Sequence, residues 1–383
     1  MKKILFVTTR CPYSKHFSGD RLRSSEILKF LSKKNRVDLI YSDVKKNNIT
    51  TKIKHKGKVI FFPRNFFLSI FNTIKSVFKL EPLQNGFFFS NDVKKYIEVN
   101  KHKYEVIICH LIRSAQYLPK DFKGQKILEM TDLYSENYNQ TIKKMSFFNI
   151  LYYLYFIEMI LVKHYEIYCG KIFNKIVLVS KKDIFKNKKK NIVLIQNGTR
   201  REKNLYKYKK NNRKILFIGN IKYLPNKYAC YNFSKNILPI INKKEPKIEF
   251  HIVGQINIVD KLILSKNKNT FVHGTVNNLK PLIKNTICGL SNLKIATGFQ
   301  NKILTYMSYG LPVVSSVESF NSSLFLKKNY NILVYRSDLD LINSIYTLQI
   351  NNKIAQKISS NGFSTINNNL SWNISLSKYE KII

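Results

Sequence analysis

Short, wholly apolar runs alternate along the chain with segments of helical spacing. KILFVTT (3–9), RVDLIYSD (36–43), KVIFFP (58–63), YEVIICH (104–110), QKILEMTD (125–132), NKIVLVS (174–180) and NIVLIQNGT (191–199) read as buried strands. Between the first two, RLRSSEILKFLSKK places Leu28 and Leu31 on one helical face. A polar, lysine-rich stretch at 200–213 reads as a linker, after which the alternation restarts. RKILFIGN (213–220), KIEFHIVG (247–254), TFVHGTV (270–276), TICGLSN (286–292), LPVVSS (311–316) and NILVYRS (331–337) are the strands of this second half, with helices at 227–241 and 257–266. Strands apolar on both faces, alternating with helices, predict an α/β fold of two doubly wound parallel-sheet domains. Ligands of such sheets sit beyond the carboxyl ends of the strands, so two of them are expected to face one central cleft. The predicted divisions are 1–200, 201–365 and a C-terminal helical segment, 366–383, that packs back on the first domain.

Two amphipathic stretches stand outside this alternation. NFFLSIFNTIKSVFKL (65–80) gathers Phe66, Ile70, Phe71, Ile74, Val77 and Phe78 near one helical face, with Lys75 and Lys79 elsewhere. It fits an interfacial helix or one that covers the first sheet. SFFNILYYLYFIEMILV (146–162) is shorter than the roughly 20 apolar residues a span requires. It also contains Asn149 and Glu158, and reads as a buried or interfacial helix.

Charge changes the picture more than length does. The 383 residues carry 66 Lys plus Arg against 23 Asp plus Glu, a net charge of +43. Such a field attracts anions: nucleic acid, anionic lipid or nucleotide phosphate. The chain is also rich in Lys, Asn, Ile, Phe and Tyr, the imprint of an AT-biased genome. The lysines are scattered and the tightest run is KNKKK at 186–190, which argues against a dedicated nucleic-acid surface. Five cysteines, an odd number without CxxC spacing, argue against a disulfide framework or metal site and fit a reducing cytoplasm. ILFV directly after Met1-Lys2-Lys3 is too short for a secretory apolar region.

Candidate chemistry lies in the loops that follow strands. In SGDRLRSS (18–25), Gly19 and Asp20 precede a helix start carrying Arg21 and Arg23, a place for an anion or an acceptor. HLIRS (110–114) puts His110 at a strand end, where it could polarise a hydroxyl, with Arg113 close behind. EMTDLYSEN (129–137) gathers Glu129, Asp132, Ser135 and Glu136, and a carboxylate there could take a proton from an acceptor. In GNIKYLPN (219–226), a glycine directly after a strand suits close approach of a ligand. In TGFQNKILTYMSYGLPVVSS (297–316), Thr297 and Gln300 have capping-box spacing, and Phe299, Ile303 and Met307 share an inward face. Gly310 stops that helix, and its N-terminus at Gly298, with Lys302 one turn in, would seat a phosphate. Each loop also fits an ordinary strand–helix turn.

Taken in order, PYSKHFSGDRLRS, VLVSKKD, IQNGT, FIGNIKYLPN, FHIVG, VHGTV, IATGFQNKILTYMSYGLPVVSS and the late Ser371-Trp372 resemble glycosyltransferases of the GT-B fold. The resemblance covers nearly the whole chain and is nearest to the GT4 family, among bacterial exopolysaccharide-type sugar transferases. It implies two Rossmann-like domains, with the nucleotide-sugar donor held mainly by the second. By position, Gly219, Asn220 and Asn226 match the first donor loop, and Gly298, Gln300, Asn301 and Lys302 match the donor-diphosphate segment. Gly19 matches the glycine loop that approaches the donor from the first domain, and His110 a sugar-contacting histidine, the candidate catalytic residue. Asp20, Arg21, Arg113 and Asp132 fall on the acceptor side. Two glutamates common in relatives are replaced by Thr297 and Thr305, the second at the ribose position. A threonine cannot offer a ribose diol two charge-assisted hydrogen bonds.

The expected activity is a retaining, metal-independent glycosyl transfer from a nucleotide sugar to a hydroxyl acceptor, in cell-surface polysaccharide synthesis. No cofactor is expected beyond the donor, which is a substrate. The expected partners are the nucleotide sugar, a sugar or lipid-linked acceptor and an anionic membrane surface, for a cytoplasmic protein peripheral on the inner face of the plasma membrane. The substitution at Thr305 keeps open a catalytically degenerate GT-B-like binding or scaffold protein.

Overall fold

The computed structural model describes residues 1–13, 18–44, 57–143, 145–186, 190–200, 206, 212–296, 299–321 and 323–383. The middle of the KNKKK run, most of the 200–213 stretch, Thr297 and Gly298 therefore lie outside the described residues. The chain divides into two compact units, Met1–Ile195 with Leu376–Ile383, and Gln196–Ser375.

The first unit is built on β1 (Lys3–Thr8), β2 (Arg36–Asp43), β3 (Val59–Pro63), β4 (Val106–His110), β5 (Gln125–Thr131), β6 (Lys175–Leu178) and β7 (Ile192–Leu194). The second is built on β8 (Lys214–Ile218), β9 (Glu249–Val253), β10 (Thr270–Gly274), β11 (Thr286–Ser291), β12 (Val313–Ser316) and β13 (Leu333–Tyr335). Every pairing among these strands is parallel. Parallel strands need crossover helices, which cover both faces of a sheet. Ile4, Leu5, Phe6 and Val7 accordingly show no exposed surface on either side of β1. The strand orders are β3-β2-β1-β4-β5-β6-β7 and β10-β9-β8-β11-β12-β13, so each sheet winds outward in both directions from its first strand.

The helix that opens the 297–316 motif departs from the sequence expectation at its start. It spans Asn301–Ser308 with Gln300 as N-cap and no capping hydrogen bond from that side chain. The expected box between Thr297 and Gln300 requires a helix that begins three residues earlier. Its inward face is as expected, with Phe299, Ile303 and Met307 all buried. Gly310 closes it at φ 74°, a conformation that favours glycine.

The two amphipathic stretches fold as helices whose apolar residues largely face outward. The helix Phe66–Phe78 buries Ser69 and Ser76. Phe67, Phe71 and Phe78 are 80%, 61% and 84% exposed. The small side is inward because the helix packs close on the backbone of Leu83–Phe87: a Cβ on Gly86 would meet the Asn72 carbonyl oxygen at 2.3 Å. The Ser69, Thr73 and Ser76 hydroxyls are satisfied by donating to carbonyls of the same segment, those of Asn65, Ser69 and Thr73. The second helix, Ile150–Ile172, buries Glu158, Val162, Glu166 and Cys169 but exposes Ile150, Tyr153, Leu154, Phe156 and Ile157. Its first half is therefore not the buried helix one reading of the sequence allowed. Glu158, a polar break in that apolar run, accepts from the Leu83 amide at 2.7 Å. No described helix is long and apolar enough to cross a membrane.

Candidate functional site

In both sheets the winding direction reverses at the first strand, between β1 and β4 and between β8 and β11. The crevice outside the carboxyl ends at such a reversal is where open α/β sheets bind ligands. The residues that end these four strands are therefore the place to look.

In the first unit, β1 runs out at Thr8, Thr9 and Arg10, and β4 ends on His110. His110 is buried, stacks on Phe6 at 5.8 Å between ring centroids, and places Nδ1 3.3 Å from the Thr8 hydroxyl. Its Nε2 has no hydrogen-bond partner among the described residues. Burial pushes its pKa down to about 3, against the pull of Asp20, so the ring is neutral at physiological pH. The next residue, Leu111, adopts φ 68°, and Thr131 at the end of β5 also adopts φ 68°. Left-handed backbone at a branched residue is strained and is concentrated where structure is held for function.

Arg113 donates from Nε to the Thr9 hydroxyl at 2.7 Å, and its Nη2, 4.0 Å from Asp20, has no hydrogen-bond partner among the described residues. Asp20, one residue into the helix Gly19–Leu31, accepts from Arg10 Nη1 at 3.2 Å. Burial alone would raise the Asp20 pKa, but the Ser18 hydroxyl, Arg10, His110 and Arg113 together hold it below the usual carboxylate value. Thus His110, Arg113, Asp20 and Gly19 come together.

Arg21 and Asp132 do not join them. Arg21 faces Asp43 at 3.9 Å. Asp132 lies among Asp183, Arg23 and Glu129, where burial and Asp183 push its pKa up to about 7. Glu129, a carboxylate of the same sequence cluster, is fully buried and pairs with Arg23 Nε at 2.7 Å. It also accepts from the Tyr379 hydroxyl. Its role is architectural.

In the second unit, Gly219 follows β8 and its amide donates to the Val253 carbonyl. A Cβ on Gly254 (φ 139°) would lie 1.8 Å from the Gly219 carbonyl oxygen, so the loops after β8 and β9 approach as only glycine permits. Asn226 donates from Nδ2 to the Asn220 carbonyl at 2.9 Å and accepts at Oδ1 from Lys302 Nζ at 2.8 Å. Lys302 is 8% exposed and its Nζ lies 3.8 Å from the Phe217 ring centroid. No carboxylate contacts it among the described residues. Burial pushes its pKa down to about 7, with a smaller opposing pull from Cys230. Asn301 accepts from Asn197 Nδ2 at 2.8 Å, and the half-buried Thr305 donates its hydroxyl to the Asn301 carbonyl at 3.1 Å. Gln300, Asn301, Lys302 and Thr305 thus share one helix start, and Lys302 links it to Asn226 and Asn220. Gly298 lies outside the described residues.

Known proteins resemble this chain in part of its sequence and in its fold. Residues 212–348 match the family model described as glycosyl transferases group 1. No curated protein matches the chain. Among solved structures, TarM of S. aureus is 14% identical with a TM-score of 0.72, over 100% of this chain and 98% of that one. Sucrose-phosphate synthase from Thermosynechococcus elongatus is 12% identical with a TM-score of 0.73, over 100% and 98%. Anabaena HepE, solved with UDP-glucose, is 14% identical with a TM-score of 0.68, over 100% of both chains. The fold is GT-B.

Within this GT-B fold, several residues at the switch points escape sequence reasoning. Tyr306 accepts from the Ile218 amide at 2.7 Å and donates to the Leu290 carbonyl at 3.1 Å, bridging β8 and β11. Its ring fills the space a side chain at Gly289 would need. Ser291 and Asn292, at the end of β11, are buried, each with an oxygen that has no hydrogen-bond partner among the described residues. Arg10, Arg64 and Phe88 join Arg113 in the first unit. Each arginine lies within three residues of a strand end, at a residue type used ten times in the chain, and that signal was available.

Proposed function

We propose that the chain is a retaining glycosyltransferase that moves a sugar from a nucleotide sugar to a hydroxyl acceptor in cell-surface polysaccharide synthesis. The observation that carries this reading is Lys302. A buried ammonium whose contacts are an amide oxygen and an aromatic face is a cation in need of an anion. It lies beside the loop after β8, at the switch point, where a diphosphate is the fitting partner. The match of residues 212–348 to the glycosyl transferases group 1 model supports the same reading, and HepE has been solved with UDP and with UDP-glucose.

In the proposed reaction the bond between the anomeric carbon and the diphosphate oxygen breaks. The acceptor oxygen bonds that carbon on the same face, and its proton passes to the departing phosphate. Charge grows on the diphosphate as the bond breaks, and Lys302 with the amides at the helix start stabilises it without a metal. Neutral His110 holds an acceptor or sugar hydroxyl through the open Nε2. The acceptor is carried at an anionic membrane surface. A net charge of +43 and the outward apolar face of Phe66–Phe78, flanked by Lys75 and Lys79, complement such a surface.

Thr305 favours a second reading, a degenerate GT-B protein that binds without turnover, because its hydroxyl is turned back onto its own helix. Release of nucleoside diphosphate over a panel of nucleotide sugars separates the two: turnover with one donor supports the enzyme, and none with any donor leaves the binding protein.

A further inference from the structure

Three guanidinium groups meet at one aromatic ring in the first unit. Arg113, Arg64 and Arg10 place Cζ 4.1, 4.5 and 5.8 Å from the Phe88 ring centroid. They follow the carboxyl ends of β4, β3 and β1, the ligand side of the sheet. Phe88 is 8% exposed and Arg113 7%.

Their own hydrogen bonds leave donors open. Among the described residues, Arg113 Nη2 and Arg64 Nε are buried without a hydrogen-bond partner, and Arg64 Nη1 donates to the Phe87 carbonyl at 3.0 Å. Arg10 and Arg113 share the Asp20 carboxylate, and Asp43, which faces Arg21, is the acidic group that acts on Arg64. Burial lowers the proton affinity of Arg64 and Arg113, and repulsion from Arg10 adds to it, against the pull of Asp43 on Arg64 and of Tyr134 and Asp20 on Arg113. Among the described residues, three guanidinium charges thus face two carboxylates, one of them shared with Arg21, a costly arrangement for the empty protein.

The residue choice is specific as well. Ten of the chain's 66 cationic residues are arginine, and three of these ten converge here. A planar fork presents paired donors that a lysine cannot, and it matches phosphate oxygens. Forks arriving from three strand ends suit a tetrahedral dianion better than a planar carboxylate.

We infer that Arg10, Arg64 and Arg113 around Phe88 form a binding site for a phosphoryl group of the acceptor. The class of acceptor rests on the glycosyltransferase reading; the anion site itself does not. The phosphoryl group belongs either to a soluble sugar phosphate or to a lipid phosphate, and the same chemistry recognises both.

The test titrates inorganic phosphate, glucose 6-phosphate and dodecyl phosphate (below its micelle concentration) into the full chain by calorimetry. The variants are Arg64→Gln, Arg113→Lys and Lys302→Met, with UDP titrated in parallel. The expected result is phosphate binding that weakens by about tenfold or more in each arginine variant and persists in Lys302→Met. Folding of each variant is checked by its melting temperature, and Arg64→Gln alters a half-buried side chain. UDP affinity unchanged in the arginine variants supports two separate anion sites. Tighter binding of dodecyl phosphate that needs the same arginines assigns the group to a lipid, and equal binding of both esters assigns it to a soluble acceptor. Phosphate affinity identical in wild type, Arg64→Gln and Arg113→Lys overturns the inference. Failure of the wild type to bind UDP would count against the donor reading alone.

Discussion

Lys302 decides most at the residue scale. Its folded-state pKa of about 7 lies below the ordinary 10.5, so the unfolded chain binds more protons between these values. Stability then rises with pH across that window, and the cost of the buried charge is borne in full below about pH 7. Replacing the lysine with an apolar side chain removes that cost. Lys302→Met is expected to melt ~3–6 °C higher than wild type at pH 7 without nucleotide, and a lower melting temperature would contradict this. Nucleotide binding requires the charged form, so UDP should be bound with uptake of a proton at pH 8. Calorimetry in two buffers of different ionisation enthalpy reads that uptake. Thr305 carries the complementary expectation. Thr305→Glu should tighten UDP binding by about fivefold to tenfold if the side chain faces a ribose diol. Unchanged affinity would mean that position 305 does not face the ribose.

Elements show how far a sequence pattern reaches. The central strands were the most legible because burial on both faces leaves a continuous apolar run: β2 spans Arg36–Asp43, the residues its pattern marks. The helix Phe66–Phe78 was legible as amphipathic, but which face turns inward was not. Close packing of its serine side on Gly86 decided the orientation, and that contact is invisible without the fold. Its outward phenylalanines carry a prediction. Phe71→Glu with Phe78→Glu should reduce cosedimentation with vesicles containing anionic lipid by roughly tenfold, while the melting temperature stays within about 1 °C. Equal cosedimentation would remove the membrane from the account. The loops were legible in part. Gly219, Asn226 and Lys302 stood out because they follow strands or open a helix. Tyr306 and Phe88 did not, because each acts across elements far apart in sequence.

For the molecule as a whole, two sheets of one winding order are a property the sequence pattern could convey, since strand and helix alternation implies it. The connection between the end of the chain and the first unit was less visible. Tyr379 lies in the segment Leu376–Ile383 and donates to Glu129, which pairs with Arg23 in the core of the first unit. Breaking a buried ion pair from one side costs about 3–5 kcal/mol. Arg23→Leu should therefore destabilise the first unit by that order, and hydrogen exchange should locate the loss in β1, β4 and β5 rather than in β8, β9 and β11. Exchange that accelerates equally in both units would contradict this placement.

The central claim is that the second unit seats a nucleoside diphosphate on Lys302. Calorimetric titration of UDP into wild type and Lys302→Met at pH 8 tests it most directly. The account predicts saturable binding to the wild type, weakened by at least about tenfold in the variant, the scale of a lost charged hydrogen bond. Equal affinity in the two proteins, or no binding to either, would contradict it.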